Sequence, residues 1–349
     1  MSKKKKRSEK KGRKGKKGSS KRRIALFGAL GLSAFLTAWG ILGVWFVHHP
    51  RRWLATREDN WPGIITGPLY FFGNPLGDLT DALGLTGRDV VYTYDEEAPT
   101  GQTLFAGAPV RTSAPAPDDI VILDRGEFQV GWSPKLRHPV WVAYHVPAAS
   151  RFDPGERPNF SRDSSADRAP LPGDYTKSGY DRGHMAPNFA IASRFGEAQQ
   201  RATFLMSNIA PQSPSLNRGV WRDVEHRIAE LWTARWGEIW VIVGCIPSPN
   251  HETLSGTNID LPRKFYQIIV AQEGLDIRVQ AVIFDQNVPW SAWPTRYLAT
   301  IDEIEDLTGL DFLPDLPSFI QDPLEAELPT RLWPIRKSDI FKQIALRFR

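Results

Sequence analysis

Three regimes of hydrophobic patterning follow one another along the 349 residues. The first is "IALFGALGLSAFLTAWGILGVWFV", residues 24–47, which has no charged side chain over 24 positions. At about 1.5 Å per residue a helix of that length spans about 36 Å, enough to cross a bilayer. A cleavable signal has an apolar region of about 7–15 residues and a small-residue cleavage site. This run is longer and ends in Trp45, Phe46 and His48, so it predicts an uncleaved membrane anchor over 24–48. The second regime, residues 49–117, is broken by Pro and Gly. Its uncharged aromatic stretch 61–77 suits a juxtamembrane segment, and "TSAPAPDD", 112–119, suits a linker.

In the third regime short runs rich in Val, Ile and aromatics predict strands: "HPVWVAYHV" (138–146), "EIWVIVGC" (238–245), "FYQIIVAQ" (265–272) and "IRVQAVIFD" (277–285). The last two flank Glu273-Gly274, a hairpin turn signal. Between them, "GVWRDVEHRIAELWTARW" spaces Trp221, Val224, Ile228, Leu231 and Trp232 as one apolar face of a helix packed on a sheet. "TIDEIEDLTGL", 300–310, predicts a short helix with Thr300 as N-cap, Glu303 completing a capping box and Gly309 ending it. "SDIFKQIALRFR" at the C-terminus patterns as a basic amphipathic helix, for docking or for membrane contact.

The net charge of +5 changes its meaning once it is located. Residues 1–23 carry fourteen Lys and Arg against the single acid Glu9, a charge of +13, which leaves −8 for everything after the tail. An anionic partner of the folded part must therefore be held by a local cation cluster rather than by a general field. By the positive-inside rule the tail stays in the cytoplasm and the rest faces outward. Cys245 is the only cysteine, so no intramolecular disulfide braces the fold. Its place at the end of an apolar run predicts a buried, inert thiol.

Chemistry concentrates in "GYDRGHMAPN", 179–188, and "SNIAPQSPSLNRGVWRDVE", 207–225. An imidazole, ordinarily titrating near about 6.5, takes a proton from water at neutral pH. A guanidinium fork suits a phosphate oxygen, and a preceding glycine admits close approach. The second stretch supplies a carboxamide, Asn217, and a carboxylate, Glu225, at the mouth of the amphipathic helix.

Together these two motifs resemble the DNA/RNA non-specific endonucleases, the ββα-metal nucleases. Flanking text supports the likeness ("GWSPKLRHPVWVAYHV", "FDQNVP", "IDEIEDLTGLDFLPDLP"), which covers roughly residues 118–317. The resemblance implies an α+β, ββα-metal (His-Me finger) nuclease fold, a central antiparallel sheet flanked by helices, preceded by the single membrane helix. It divides the chain into a cytoplasmic tail (1–23), an anchor (24–48), a juxtamembrane segment (49–117), a nuclease domain (118–317) and a C-terminal extension (318–349).

By the same resemblance, His184 would be the general base and Asn217 the one direct protein ligand of Mg²⁺, with Mn²⁺ as a substitute. A sparse oxygen site suits such a hard, reluctantly dehydrated cation. Glu225, eight residues beyond Asn217, would hold a water of the metal. Arg157, in "ERPNFSRD", would contact the scissile phosphate, and Arg182 would hold substrate or shape the site. Asp181 would order the turn. His226, His138 and His145 are expected to be structural, and Asp124-Arg125-Gly126 is given no role. The partners implied are DNA and RNA substrate, with 5′-phosphate and 3′-hydroxyl products, and the membrane through 24–48; a homodimer is compatible with this reading. Two other classes remain open from sequence: a nuclease-like scaffold without catalysis, and a phosphodiesterase acting on another anionic ester.

Overall fold

A computed structural model describes residues 87–339 apart from 95 and 97. The basic tail, the expected anchor and the stretch 61–77 lie outside the described residues, as does nearly all of the expected C-terminal helix. No helix of the described residues is long and apolar enough to cross a membrane.

The strands are β1 (Val90–Thr93), β2 (Val110–Arg111), β3 (Val121–Asp124), β4 (Phe128–Ser133), β5 (His138–Val146), β6 (Asp181–His184), β7 (Ile209–Gln212), β8 (Ile239–Ile246), β9 (Lys264–Glu273), β10 (Asp276–Asp285), β11 (Leu298–Ala299) and β12 (Leu310–Asp311). Eight of them form one antiparallel sheet in the order β1-β10-β9-β8-β5-β4-β3, with β11 also paired to β10. The four strands expected from apolar runs are β5, β8, β9 and β10. In the β9–β10 hairpin Glu273 pairs with Asp276, so the two-residue turn is Gly274-Leu275, one step later than expected. Gly274 has φ +61°, which glycine adopts without a Cβ penalty.

The helices are α1 (Asn188–Phe195), α2 (Glu197–Thr203), α3, α4 (Ile301–Thr308) and α5 (Ser318–Ala326). The long helix α3 runs through Leu216–Trp221, Arg222–His226, Arg227–Trp232 and Thr233–Trp236, with wide i→i+5 turns in the first and third segments and a kink at Gly219. It covers one sheet face. Trp221, Val224, Ile228, Leu231 and Trp232 of α3 pack in one core with Val142, Tyr144, Val241, Val243 and Phe284 of the sheet. On the opposite face, Ile304 of α4 and Ile320 and Leu324 of α5 pack with Val140, Ala143, Ile242, Ile268 and Val279. Because both faces are covered, β8 is buried at all eight positions; this is why its sequence is a continuous apolar run and not an alternation. The N-cap and C-cap expected for α4 are present: Thr300 Oγ1 accepts from Glu303 N at 3.0 Å, and Gly309 closes the helix at φ +69°.

The packed body is wider than residues 118–317. Upstream, β1 joins the sheet through β10, and Phe105 and Ala106 are core residues. The stretch 112–119 is not a free linker, since the Thr112 and Ser113 amides donate to Gly309 O at 3.0 and 3.2 Å and Ala116 is buried. Downstream, Leu332, Trp333 and Ile335 enter the α3-side core. That segment is tied by Gln280, whose Nε2 donates to Arg331 O at 2.9 Å and whose Oε1 accepts from Trp333 N at 2.9 Å.

Candidate active site

On the α3 side of the sheet, β6 and β7 pair antiparallel, with His184 opposite Ile209 and Asp181 opposite Gln212. The two strands are 24 residues apart in sequence, with α1 and α2 between them, and the chain then enters α3. Two strands and one helix thus carry every residue singled out in the two motifs.

Long-range clamps fix this unit. Asn208 Oδ1 accepts from Ala186 N at 2.8 Å, and its Nδ2 donates to Ala186 O and Thr203 O, both at 2.9 Å. The turn after His184 is thereby bound to the start of β7. Gln286, from "FDQNVP", is buried; its Nε2 donates to Pro211 O at 2.8 Å and Pro262 O at 3.1 Å, and its Oε1 accepts from Ser213 N at 2.8 Å. The entry to α3 is thus fastened to the end of β10. Gly183 is required by packing rather than by substrate approach: a Cβ there would lie 2.1–2.6 Å from the Gln212 side chain.

These elements enclose an open cleft of about 600 Å³ lined by Arg157, Asp181, Arg182, His184, Asn217 and Glu225, among others. His184 is buried, packed 5.3 Å from the Phe160 ring and edge-on to Phe204 at 4.8 Å. Burial, reinforced by the Arg157 charge, lowers its pKa to about 3, so the imidazole is neutral at physiological pH. Its Nε2 has no hydrogen-bond partner among the described residues. Arg157 is exposed, lies 5.5 Å over the Phe204 ring and pairs with no carboxylate among the described residues.

Asn217 Nδ2 donates to Asp181 Oδ2 at 2.9 Å. Arg218 grips the same carboxylate, Nε to Oδ2 at 2.8 Å and Nη2 to Oδ1 at 2.5 Å. Burial pushes the Asp181 pKa up, but the hydrogen bonds from Arg218 and Asn217 and the Arg218 charge outweigh it and hold the carboxyl below its ordinary range. A permanent carboxylate facing the amide fixes which way it points, because a flipped amide would set oxygen against oxygen. Asn217 Oδ1 is thereby left for a ligand in the cleft. Glu225 Oε1 accepts from Trp221 Nε1 at 2.9 Å. The residue is partly exposed but its carboxyl group is enclosed, and burial raises its pKa to about 8 against the opposing pull of Trp221, Arg157 and Arg222.

Arg182 lines the cleft but its fork is engaged: Nε and Nη2 both donate to Pro172 O, at 3.0 and 2.5 Å, and the guanidinium lies 5.4 Å from the Phe160 ring. Of its two expected roles the geometry supports shaping the site. His226 differs from expectation, since it too lines the cleft and its buried Nε2 has no hydrogen-bond partner among the described residues. His138 and His145 are structural, bonded to Asp260 at 3.3 Å and Glu238 at 3.0 Å. Arg125, given no role from sequence, forms an ion pair with buried Asp163, which also accepts from Ser207 beside Asn208. Cys245 is free and buried.

Sequence reading missed three contributors: the Arg218-Asp181-Asn217 chain, the aromatic walls Phe160 and Phe204, and the Gln286 clamp. A carboxylate three residues before His184 and a guanidinium next to Asn217 were the available signals for the first.

A neutral base, a fixed carboxamide oxygen, an enclosed carboxyl group and an unpaired guanidinium around one open cleft define a hydrolase site for an anionic ester. A model of the DNA/RNA non-specific endonuclease family matches residues 107–319, more than half of the chain. A nuclease of Serratia marcescens is 30% identical over 197 residues, 54% of this chain and 73% of that protein. A nuclease of Nostoc sp. is 28% identical over 232 residues, covering 61% and 80%. Human mitochondrial endonuclease G is 27% identical over 208 residues, covering 55% and 69%. Among solved structures, a chain of the EndoG/EndoGI inhibition complex matches with a TM-score of 0.52 at 21% identity, covering 57% of this chain and 88% of that one. The chain belongs to the DNA/RNA non-specific endonuclease family and is a nucleic-acid hydrolase.

Proposed function

We propose that the cleft hydrolyses phosphodiester bonds of DNA and RNA without strong sequence preference, by the ββα-metal chemistry of its family. The observation that carries this reading is the pairing of His184, neutral and unpartnered at Nε2, with Asn217, whose Oδ1 is left free, in one cleft under Arg157. Water attacks phosphorus while His184 takes one of its protons; the P–O3′ bond breaks, the leaving 3′ oxygen takes a proton from a solvent water in the open cleft, and His184 then returns its proton to solvent, giving 5′-phosphate and 3′-hydroxyl ends. Arg157 sits where it can hold a non-bridging phosphate oxygen as charge develops. An arriving phosphodiester anion offsets the Arg157 charge beside His184, which makes the imidazole a stronger base when substrate is present. Arg182 acts as a positioning residue, bracing Phe160 and the 172–175 turn.

The donor set fits a hydrated divalent cation of the Mg²⁺ type. Asn217 Oδ1 and the Glu225 carboxyl are hard oxygen donors, few in number, and an enclosed carboxyl held up to about 8 by burial gains a counter-charge when a cation is near. Asn217 would hold the ion directly and Glu225 through its waters. Bound there, such a cation polarises the phosphoryl group and stabilises the leaving oxygen.

The test is cleavage of plasmid DNA and RNA by the full chain, purified in detergent, with Mg²⁺ and with chelator. His184→Ala and Asn217→Ala are each expected to lose at least about a hundredfold in rate; full activity in either removes that residue from the mechanism. Residues 24–48 serve as a single anchor, with the tail in the cytoplasm and the catalytic body outside it. An export-dependent reporter fused after Arg349 should be active, and a reporter active only in the cytoplasm reverses the orientation.

A further inference from the structure

Beside the catalytic cleft lies a second hollow, of about 380 Å³, where Arg137, Arg162 and Arg168 converge with Asp174, Thr257 and Asn258. Three like charges gathered against one carboxylate raise one another's energy unless an anion joins them. The arrangement stands out further because the chain after its tail carries a net charge of −8.

The fixed member is Arg137. Its Nε donates to Arg168 O at 3.0 Å and its Nη2 lies 3.7 Å from Asp174 Oδ2. Asp174 is itself occupied by Leu171 N at 3.0 Å. Arg162 and Arg168 are exposed, and their guanidinium groups have no hydrogen-bond or ion-pair partner among the described residues. Arg137 and Arg168 both adopt left-handed backbone, at φ +61° and +57°, a region sparsely used by residues with a Cβ.

The hollow abuts the cleft along two segments. Phe160 lines the cleft and Arg162 lines the hollow, two residues apart and so within about 7 Å along the chain. Leu171 and Asp174 line the hollow, and between them the Pro172 carbonyl is gripped by Arg182 from the cleft side. Arg157 and Arg162 are five residues apart, at most about 17 Å along the chain, so at about 3.4 Å of rise per nucleotide a strand whose scissile phosphate lies under Arg157 reaches Arg162 within about five nucleotides.

We propose that this hollow is a second phosphate site, which holds a backbone phosphodiester of the same nucleic-acid strand that is cut in the cleft. The proposal rests on the nuclease reading above and deepens it. The hollow supplies the local cation cluster that an acidic body needs to hold a polyanion, without reading its bases.

The test uses the full chain and the Arg162→Ala/Arg168→Ala double variant, with Arg162→Ala alone as a second variant. Two substrates are compared: a single-stranded 20-mer, and thymidine 3′,5′-bis(4-nitrophenyl phosphate), which is too short to leave the cleft. For the double variant the expected result is a KM for the 20-mer raised about tenfold or more and nitrophenyl-ester hydrolysis unchanged. The log–log salt dependence of 20-mer binding should become shallower by about 0.7 for each phosphate that is no longer neutralised. An unchanged salt slope and KM for the 20-mer in the double variant overturn the proposal. So does an unchanged slope joined to loss of binding to phosphatidylglycerol vesicles, which would assign the hollow to a lipid surface. If the unaltered chain cleaves neither substrate, the nuclease reading itself fails, an outcome distinct from the other two.

Discussion

Replacing Asp181 by Asn keeps the size of the side chain and removes the charge that Asn217 and Arg218 share. In the folded protein the Asp181 carboxylate accepts Asn217 Nδ2 at 2.9 Å and the two Arg218 nitrogens at 2.8 and 2.5 Å. A neutral amide in its place has one acceptor oxygen for three donors and turns its own N–H groups toward one of them. A hydrogen bond to a charged group contributes about 1.5–3 kcal/mol; solvent screening at this half-open site brings that toward about 1–2 kcal/mol. The Arg218 pair lies at the solvent edge and adds little. The loss falls on the orientation of the Asn217 oxygen, where about 1.4 kcal/mol is a factor of ten. Asp181→Asn should therefore raise the Mg²⁺ concentration for half-maximal cleavage about five- to thirtyfold, with kcat at saturating metal within about threefold and the urea midpoint nearly unchanged. The assay is plasmid nicking titrated with Mg²⁺ against the unaltered enzyme. A half-maximal concentration unchanged within twofold refutes the idea that Asp181 sets the Asn217 amide.

Two further outcomes follow from the same geometry. Glu225, with its pKa raised from 4.5 to about 8, keeps a proton in the folded state that the unfolded chain has already released. Its contribution to stability is therefore complete below about pH 4.5 and is lost as pH rises through about 8, on the order of 4 kcal/mol in all. In chelator, thermal melting of Glu225→Gln should depend less on pH between 5 and 8.5 than that of the parent, and equal slopes would contradict the enclosed carboxyl. Gln286→Ala removes two donors and an acceptor from buried backbone partners at 2.8, 3.1 and 2.8 Å; about 3 kcal/mol should be lost in urea unfolding, and a loss under about 1 kcal/mol would mean that water replaces the clamp.

What the amino-acid sequence disclosed about this molecule was set by the range of the interactions involved. The apolar runs of β5, β8, β9 and β10 are readable because a strand buried on both faces needs Val, Ile and aromatics at nearly every position, whatever its neighbours are. That His184, Asn217 and Glu225 would share one cleft is readable because all three fall within two short stretches that resemble family motifs. The reasons behind the same stretches are not. Gly183 is fixed by a clash with Gln212, 29 positions away, and the entry to α3 by Gln286, 73 positions beyond Ser213. Nothing local announces that Leu332, Trp333 and Ile335 complete a core begun by β4, or that β1 extends the sheet. The kink at Gly219 and the wide turns of α3 likewise break the straight-helix geometry that a separation of eight positions between Asn217 and Glu225 would otherwise imply.

That division bears on how the enzyme holds its substrate. A body with a net negative charge cannot attract a polyanion by its overall field, so affinity has to come from cations that are left unpaired while the rest are neutralised. Arg125, Arg194 and Arg227 are largely buried and committed to carboxylates or carbonyls, and Arg218 is locked on Asp181. Arg157, Arg162 and Arg168, by contrast, are exposed and held by no carboxylate among the described residues. All three fall in one loop, residues 157–168, that runs from the cleft to the neighbouring hollow. The same loop passes Phe160 against His184, so the segment that supplies free positive charge also walls the proposed base. Under the proposed strand path, binding of the strand and protection of the imidazole are coupled through one piece of backbone, anchored where Ser161 N donates to Phe204 O at 3.1 Å and Met206 N donates to Ser161 O at 2.9 Å.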